Sequence, residues 1–166
     1  MTSTLFLTLA CLFPREHPAE DKANADDFKA IQGEWRIVVA DHGGAWLTGY
    51  GELAMYLRRL KVTVTDKRIV IEPHKEEPRA AMIFAYIWEY GYVIDPTKLP
   101  KEIDFFKVFT ARETDDVLRG IYDLQGDRLT ICFHHSPESI RPKEFYTSKG
   151  DDRIIWLFER VREKKK

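Results

Sequence analysis

A chain of 166 residues is long enough to bury a core of its own and short enough to be one domain. Its 44% hydrophobic and 13% aromatic content differs from that of a disordered chain. The 26 basic and 27 acidic residues leave a net charge of −1, which excludes a global field drawing the protein onto nucleic acid, so no nucleic-acid partner is expected.

Leu5 to Phe13 form an apolar run far below the ~20 residues that span a bilayer, so no membrane-spanning helix is expected. The length suits the core of an export signal. Leu9-Ala10-Cys11 also resembles the end of a bacterial lipoprotein processing site, with Cys11 as the lipidated residue. Residues 1–25 therefore read as a leader and linker, and the protein as extracytoplasmic, either periplasmic or secreted. Asp26-Asp27-Phe28-Lys29-Ala30-Ile31 supplies one helical turn, with an Asp as N-cap and acidic charge at the positive end of the dipole. The first strand follows, with Trp35, Ile37 and Val39 on one face and Arg36, Val38 and Ala40 on the other. Asp41-His42-Gly43-Gly44 ends it with turn chemistry.

Trp46 to Leu60 reads as partly helical, because Leu53, Tyr56, Leu57 and Leu60 share a face at i, i+3, i+4 and i+7. It is either a lid over a cavity or a helix packed permanently on the core. Strands are then predicted at Leu60–Thr65, Arg68–Glu72, Ala81–Asp95, Ile103–Thr110, Val117–Leu124, Arg128–His134 and about Asp152–Val161. Gln125-Gly126-Asp127 joins the clearest hairpin, Gly supplying the positive φ that a tight connection needs. Lys101 and Asp104 are expected to pin the Pro96–Pro100 connection, and residues 163–166 form a basic tail. Eight mostly adjacent antiparallel strands with no long helices between them predict an all-β, up-and-down barrel covering 26–162, because closure removes exposed edges. An interior of that size holds packed side chains or one small ligand.

Gly33-Glu34-Trp35 near the start and Arg160 in the last strand resemble the lipocalin pattern, which implies that the Arg packs across the Trp and closes the barrel floor. More specifically, the chain resembles a lipocalin-like domain of unknown function abundant in planctomycete bacteria. The resemblance rests on Ile31-Gln32-Gly33-x-Trp35, Asp95-Pro96 through Pro100-Lys101-x-Ile103-Asp104, Gly120-Ile121-Tyr122 through Ile131-Cys132, and Arg141-Pro142-x-x-Phe145. It implies the fold and export, and brings no established activity.

Among candidate functional residues, Gly33, Trp35 and Arg160 read as structural, a cation–π lock. Met82, Phe84, Tyr86, Trp88, Tyr90, Tyr92 and Ile94 line one face of a long strand, whereas Ala81, Ala85 and Gly91 thin out the other. Facing inward, the row is ordinary core or the wall of a pocket for a small apolar or planar ligand; facing outward, it is a surface for a protein or cell-envelope partner. The expected pocket wall is Tyr86, Trp88 and Tyr90, with Tyr56 and Leu57 in the lid and Arg141 at the mouth for an anionic head group. No metal site is expected, since His134 and His135 are adjacent on a strand and point to opposite faces, with His17, His42 and His74 in separate loops. Cys132 reads as a small buried apolar residue. No cofactor motif and no nucleophile elbow appear, so the expected role is non-catalytic binding, the alternative being an interaction module with a filled core.

Overall fold

The computed structural model describes residues 26–46, 57, 59–73, 88–108 and 113–162. A helix over 26–31 (α1) precedes nine strands: β1 (Gly33–His42), β2 (Ala45–Trp46), β3 (Leu60–Val64), β4 (Arg68–Pro73), β5 (Trp88–Asp95), β6 (Lys101–Val108), β7 (Glu113–Gln125), β8 (Arg128–His134) and β9 (Arg153–Arg160). They form one sheet in the order β2-β1-β3-β4-β5-β6-β7-β8-β9, and β1 pairs again with β9. Every pairing is antiparallel. β1 and β3 to β9 thus close an eight-stranded barrel, and β2 is a two-residue return of β1 after Gly43 and Gly44, both at positive φ. The leader with Cys11, most of the expected lid, the first half of the expected aromatic strand and the basic tail lie outside the described residues.

The alternation of side chains decides which way each strand faces. In β3, Leu60, Val62 and Val64 are buried and Lys61 and Thr63 are not. In β1 the alternation changes phase. Ile37 pairs with Phe158 and Val39 with Leu157, so Val38 is the extra residue of a β-bulge. Beyond it Ala40, not Val39, joins Trp35 and Ile37 in the core. The apolar side chains point in, while Arg36, Lys61, Arg68 and Arg119 point out, the reverse of a lipid-facing barrel. No helix among the described residues is long and apolar enough to cross a membrane.

The ends of the domain meet at the floor. Trp35 pairs with Arg160, and the Arg160 guanidinium carbon lies 4.1 Å from the indole centroid. Arg160 Nη1 donates to Gln32 O at 2.7 Å and Nη2 to Ala30 O, while Trp35 Nε1 donates to Ile31 O at 2.9 Å. Gly33, at φ 126°, gives the guanidinium room: a Cβ there would stand 2.6 Å from Arg160 Nη1. α1 then crosses the end of the barrel. Asp27 Oδ2 accepts from Lys101 Nζ and Tyr122 Oη, each at 2.7 Å, and Phe28 stacks on Tyr92 at 5.9 Å. Lys101 therefore anchors the helix rather than the 96–100 turn, which Asp95 holds by accepting from Thr97 N at 3.0 Å and Thr97 Oγ1 at 2.5 Å.

The connection 135–152 lies as a strap on the outer wall. His135 N donates to Asp152 O at 3.0 Å to close its neck. Further along, Arg141 Nη1 donates to Gly120 O at 2.6 Å and Ile103 O at 3.2 Å, and the guanidinium pairs with Asp104 at 2.7 Å and Glu102 at 3.3 Å. Asp104, expected to pin the 96–100 turn, is thus a strap anchor. Cys132 and Ile121, cross-strand neighbours on the outer face, are 0% and 1% exposed.

Candidate functional site

The aromatic residues line the interior of the barrel, from Tyr90 on β5 to Trp156 and Phe158 on β9. Along β5, Trp88, Tyr90, Tyr92 and Ile94 pack against the core and Val93 is exposed, so the described part of the aromatic row faces inward. On the outer side, Gly91 is covered by the Phe106 ring, whose Cε2 lies 1.9 Å from where a Cβ of residue 91 would be. The thinned outer face is therefore a seat for a neighbouring ring. Tyr92 Oη donates to Thr65 O at 2.7 Å, and burial, with help from the Asp66 charge, pushes its hydroxyl up to about 12.

From Tyr90 the rings continue across the interior. Tyr90 meets Phe105 edge-on at 6.2 Å, Phe105 meets Phe133 at 5.5 Å, Phe133 meets Trp156 at 5.0 Å, and Trp156 meets Phe158 at 6.0 Å. These are edge-to-face arrangements that bring the positive rim of one ring to the negative face of the next. Together with the floor indole of Trp35 and the aliphatic Val62, Ile69, Leu118 and Ile131 they line a cavity of about 20 Å³, room for about one water. Tyr90 is the one ionisable residue among those lining it, and burial raises its pKa.

Of the residues expected to form the wall, Trp88 and Tyr90 are inward and half-buried, and Leu57 is buried in the core. Tyr86 and Tyr56 lie outside the described residues. Arg141, expected at the mouth, is on the outer wall, because its partners Glu102 and Asp104 flank the inward-facing Ile103. Gly33, Trp35 and Arg160 come together as the floor lock.

Two polar arrangements depend on strand register and strap docking, and single-sequence reading missed them. At the strap neck His134 Nδ1 lies 2.5 Å from Asp152 Oδ1, and Ser139 Oγ donates to Asp152 Oδ2 at 3.0 Å. Burial works to raise the Asp152 pKa, but these two bonds outweigh it and hold the carboxyl below its usual range. The serine is bound to the carboxylate rather than poised on the imidazole, so the trio clasps the strap and does not reproduce a nucleophile–base–acid relay. His42 and His135, assigned to separate segments, meet with ring centroids 6.2 Å apart. Among the described residues no group of three or more potential metal ligands converges.

No protein-family model, curated protein or solved structure matches the chain.

Proposed function

We propose that the protein binds a small, flat, apolar molecule, without transforming it, among the rings of the barrel interior. The supporting observation is the unbroken series of rings from Tyr90 to Trp156, inside walls where Tyr90 alone among the lining residues carries an ionisable group. Acid–base or nucleophilic chemistry needs at least two converging groups of matched pKa. The paired groups described above stand instead on the floor and on the outer wall. Apolar walls bearing one hydroxyl suit a planar ligand with a single hydrogen-bonding atom.

Size sets how such a ligand enters. A cavity of about 20 Å³ is far below the ~300–1,000 Å³ of pockets that take whole drug-sized molecules. The ligand must displace rings, and Tyr90 and Trp156 are the cavity-lining rings that are only partly buried. Titration with an uncharged naphthylamine fluorophore tests the proposal. Saturable binding near one per chain, with tryptophan emission transferred to the probe and affinity reduced in Tyr90→Ala, is the expected result. Emission that never saturates, or binding unchanged by Tyr90→Ala, refutes it. The small cavity favours a second reading, a filled barrel serving as an interaction module; failure of the titration would leave that reading standing.

A further inference from the structure

Among the described residues, a hollow of ligand size lies at the foot of the barrel. A groove of about 450 Å³ runs over the start of β1 between β3 and the chain leaving β9. Arg36, Lys61, Arg160 and Arg162 line it, with Glu34 and the apolar Trp35, Leu60 and Val161. That puts four cations on the wall beside one carboxylate. The groove arises from the barrel closure: the same segment of β1 pairs with β3 through Gly33–Arg36 and with β9 from Trp35 onward, so side chains of β1, β3 and the chain leaving β9 meet over it.

The four cations are not equally free. Arg160 is spent on Trp35, two backbone carbonyls and Asp127. Lys61 pairs with Glu34 at 2.7 Å. Arg36 gives one nitrogen to Glu159, at 2.7 Å, and its side chain is 60% exposed; Arg162 turns one edge to Asp127 and is 81% exposed. A guanidinium carries five N–H donors in a planar fork, so both arginines keep donors facing the groove and solvent.

We infer that this groove is an anion site, distinct from the barrel interior, and that its ligand is a phosphomonoester group held between Arg36 and Arg162. A phosphate dianion offers the oxygens that a guanidinium fork engages in pairs, and it can draw Arg36 from Glu159 because its charge is larger. Glu34, Glu159 and Asp127 border the groove and repel a long polyanion, so a single phosphate group fits better than a nucleic-acid backbone. The group can come from a soluble phosphate ester or from a lipid headgroup whose chain lies along Val161.

The full chain, ¹⁵N-labelled, is titrated with inorganic phosphate at low ionic strength, and separately sedimented with phosphatidylcholine vesicles with and without phosphatidic acid. Saturable amide shifts confined to Glu34, Arg36, Lys61, Val161 and Arg162, weakened about tenfold in the double variant Arg36→Gln/Arg162→Gln, support the site. Lys143→Gln/Lys149→Gln, exposed cations of the strap, should change nothing. Co-sedimentation that requires phosphatidic acid and is lost in the groove variant identifies the lipid source; phosphate binding without co-sedimentation identifies the soluble one. Shifts that do not saturate, or that survive in the groove variant, overturn the inference.

Discussion

A guanidinium largely removed from water needs both its charge and its donors met, and Arg160 meets them with one ring, two carbonyls and the Asp127 carboxylate. The indole face of Trp35 lies 4.1 Å away, and Gln32 O and Ala30 O take the two terminal nitrogens. Those carbonyls belong to α1 and the residue following it, so one side chain ties the helix, the first strand and the last. Replacing it removes a cation–π contact and two charge-assisted bonds, an expected loss of about 2–4 kcal/mol. Arg160→Met should therefore lower the urea midpoint without changing the slope of the transition. Arg160→Lys should recover less than half of the loss, because an ammonium cannot lie flat on the indole and reach both carbonyls. Full recovery by lysine would show that charge alone matters.

The elements differ in how their pattern is written. β3 and β5 follow the two-residue period, so which residues share a face, Trp88 with Tyr90 included, was legible from the chain alone, whereas the direction of the β5 row was not. β1 was misassigned past Ile37 because a bulge leaves no mark in composition and only pairing with Phe158 and Leu157 exposes it. The strap was less legible still. Residues 135–152 have no period, and their place is set by contacts such as Arg141 with Asp104 that are remote in sequence. What the strap does can be read from Cys132. Burial pushes that thiol up to about 11, with the Arg153 charge and a Tyr146 backbone bond opposing. In a Cys11→Ser background, Cys132 should react with a disulfide reagent slowly in native buffer. Arg141→Ala should speed the reaction at least about tenfold, well below the urea needed for global unfolding, because local opening then suffices. A variant that labels at the parent rate would show that the neck clasp of His134, Ser139 and Asp152 holds the strap unaided.

At the scale of the whole molecule, closure was readable because its two signatures, Gly33-x-Trp35 and Arg160, stand at the ends of the folded chain. How full the interior is was not readable: ring packing around about 20 Å³ depends on rotamers that no period encodes. Stability against pH is likewise a property of the assembled barrel, and its two limbs have different owners. On the acid side, burial raises the Asp151 pKa, but bonds from Arg153 and Ser148 outweigh it and hold the carboxyl well below its usual range; Asp152 is lowered in the same sense. A depressed carboxyl stabilises the fold above its unfolded pKa, about 3.9, and that contribution fades as pH falls. On the alkaline side, Tyr92 is pushed up to about 12, and Tyr122 is raised further by burial and by its bond to the Asp27 carboxylate. Raised groups keep the folded state favoured below their unfolded pKa. Their contribution is lost as pH rises, from about 8.5 for Cys132 and about 10 for the tyrosines. The urea midpoint should thus be level from about pH 5 to 8 and fall on either side. Tyr122→Phe should lower the plateau by about 1–2 kcal/mol, through loss of the Asp27 bond, and make the alkaline limb shallower. An alkaline limb of unchanged steepness in that variant would show that the hydroxyl under α1 is not what high pH attacks.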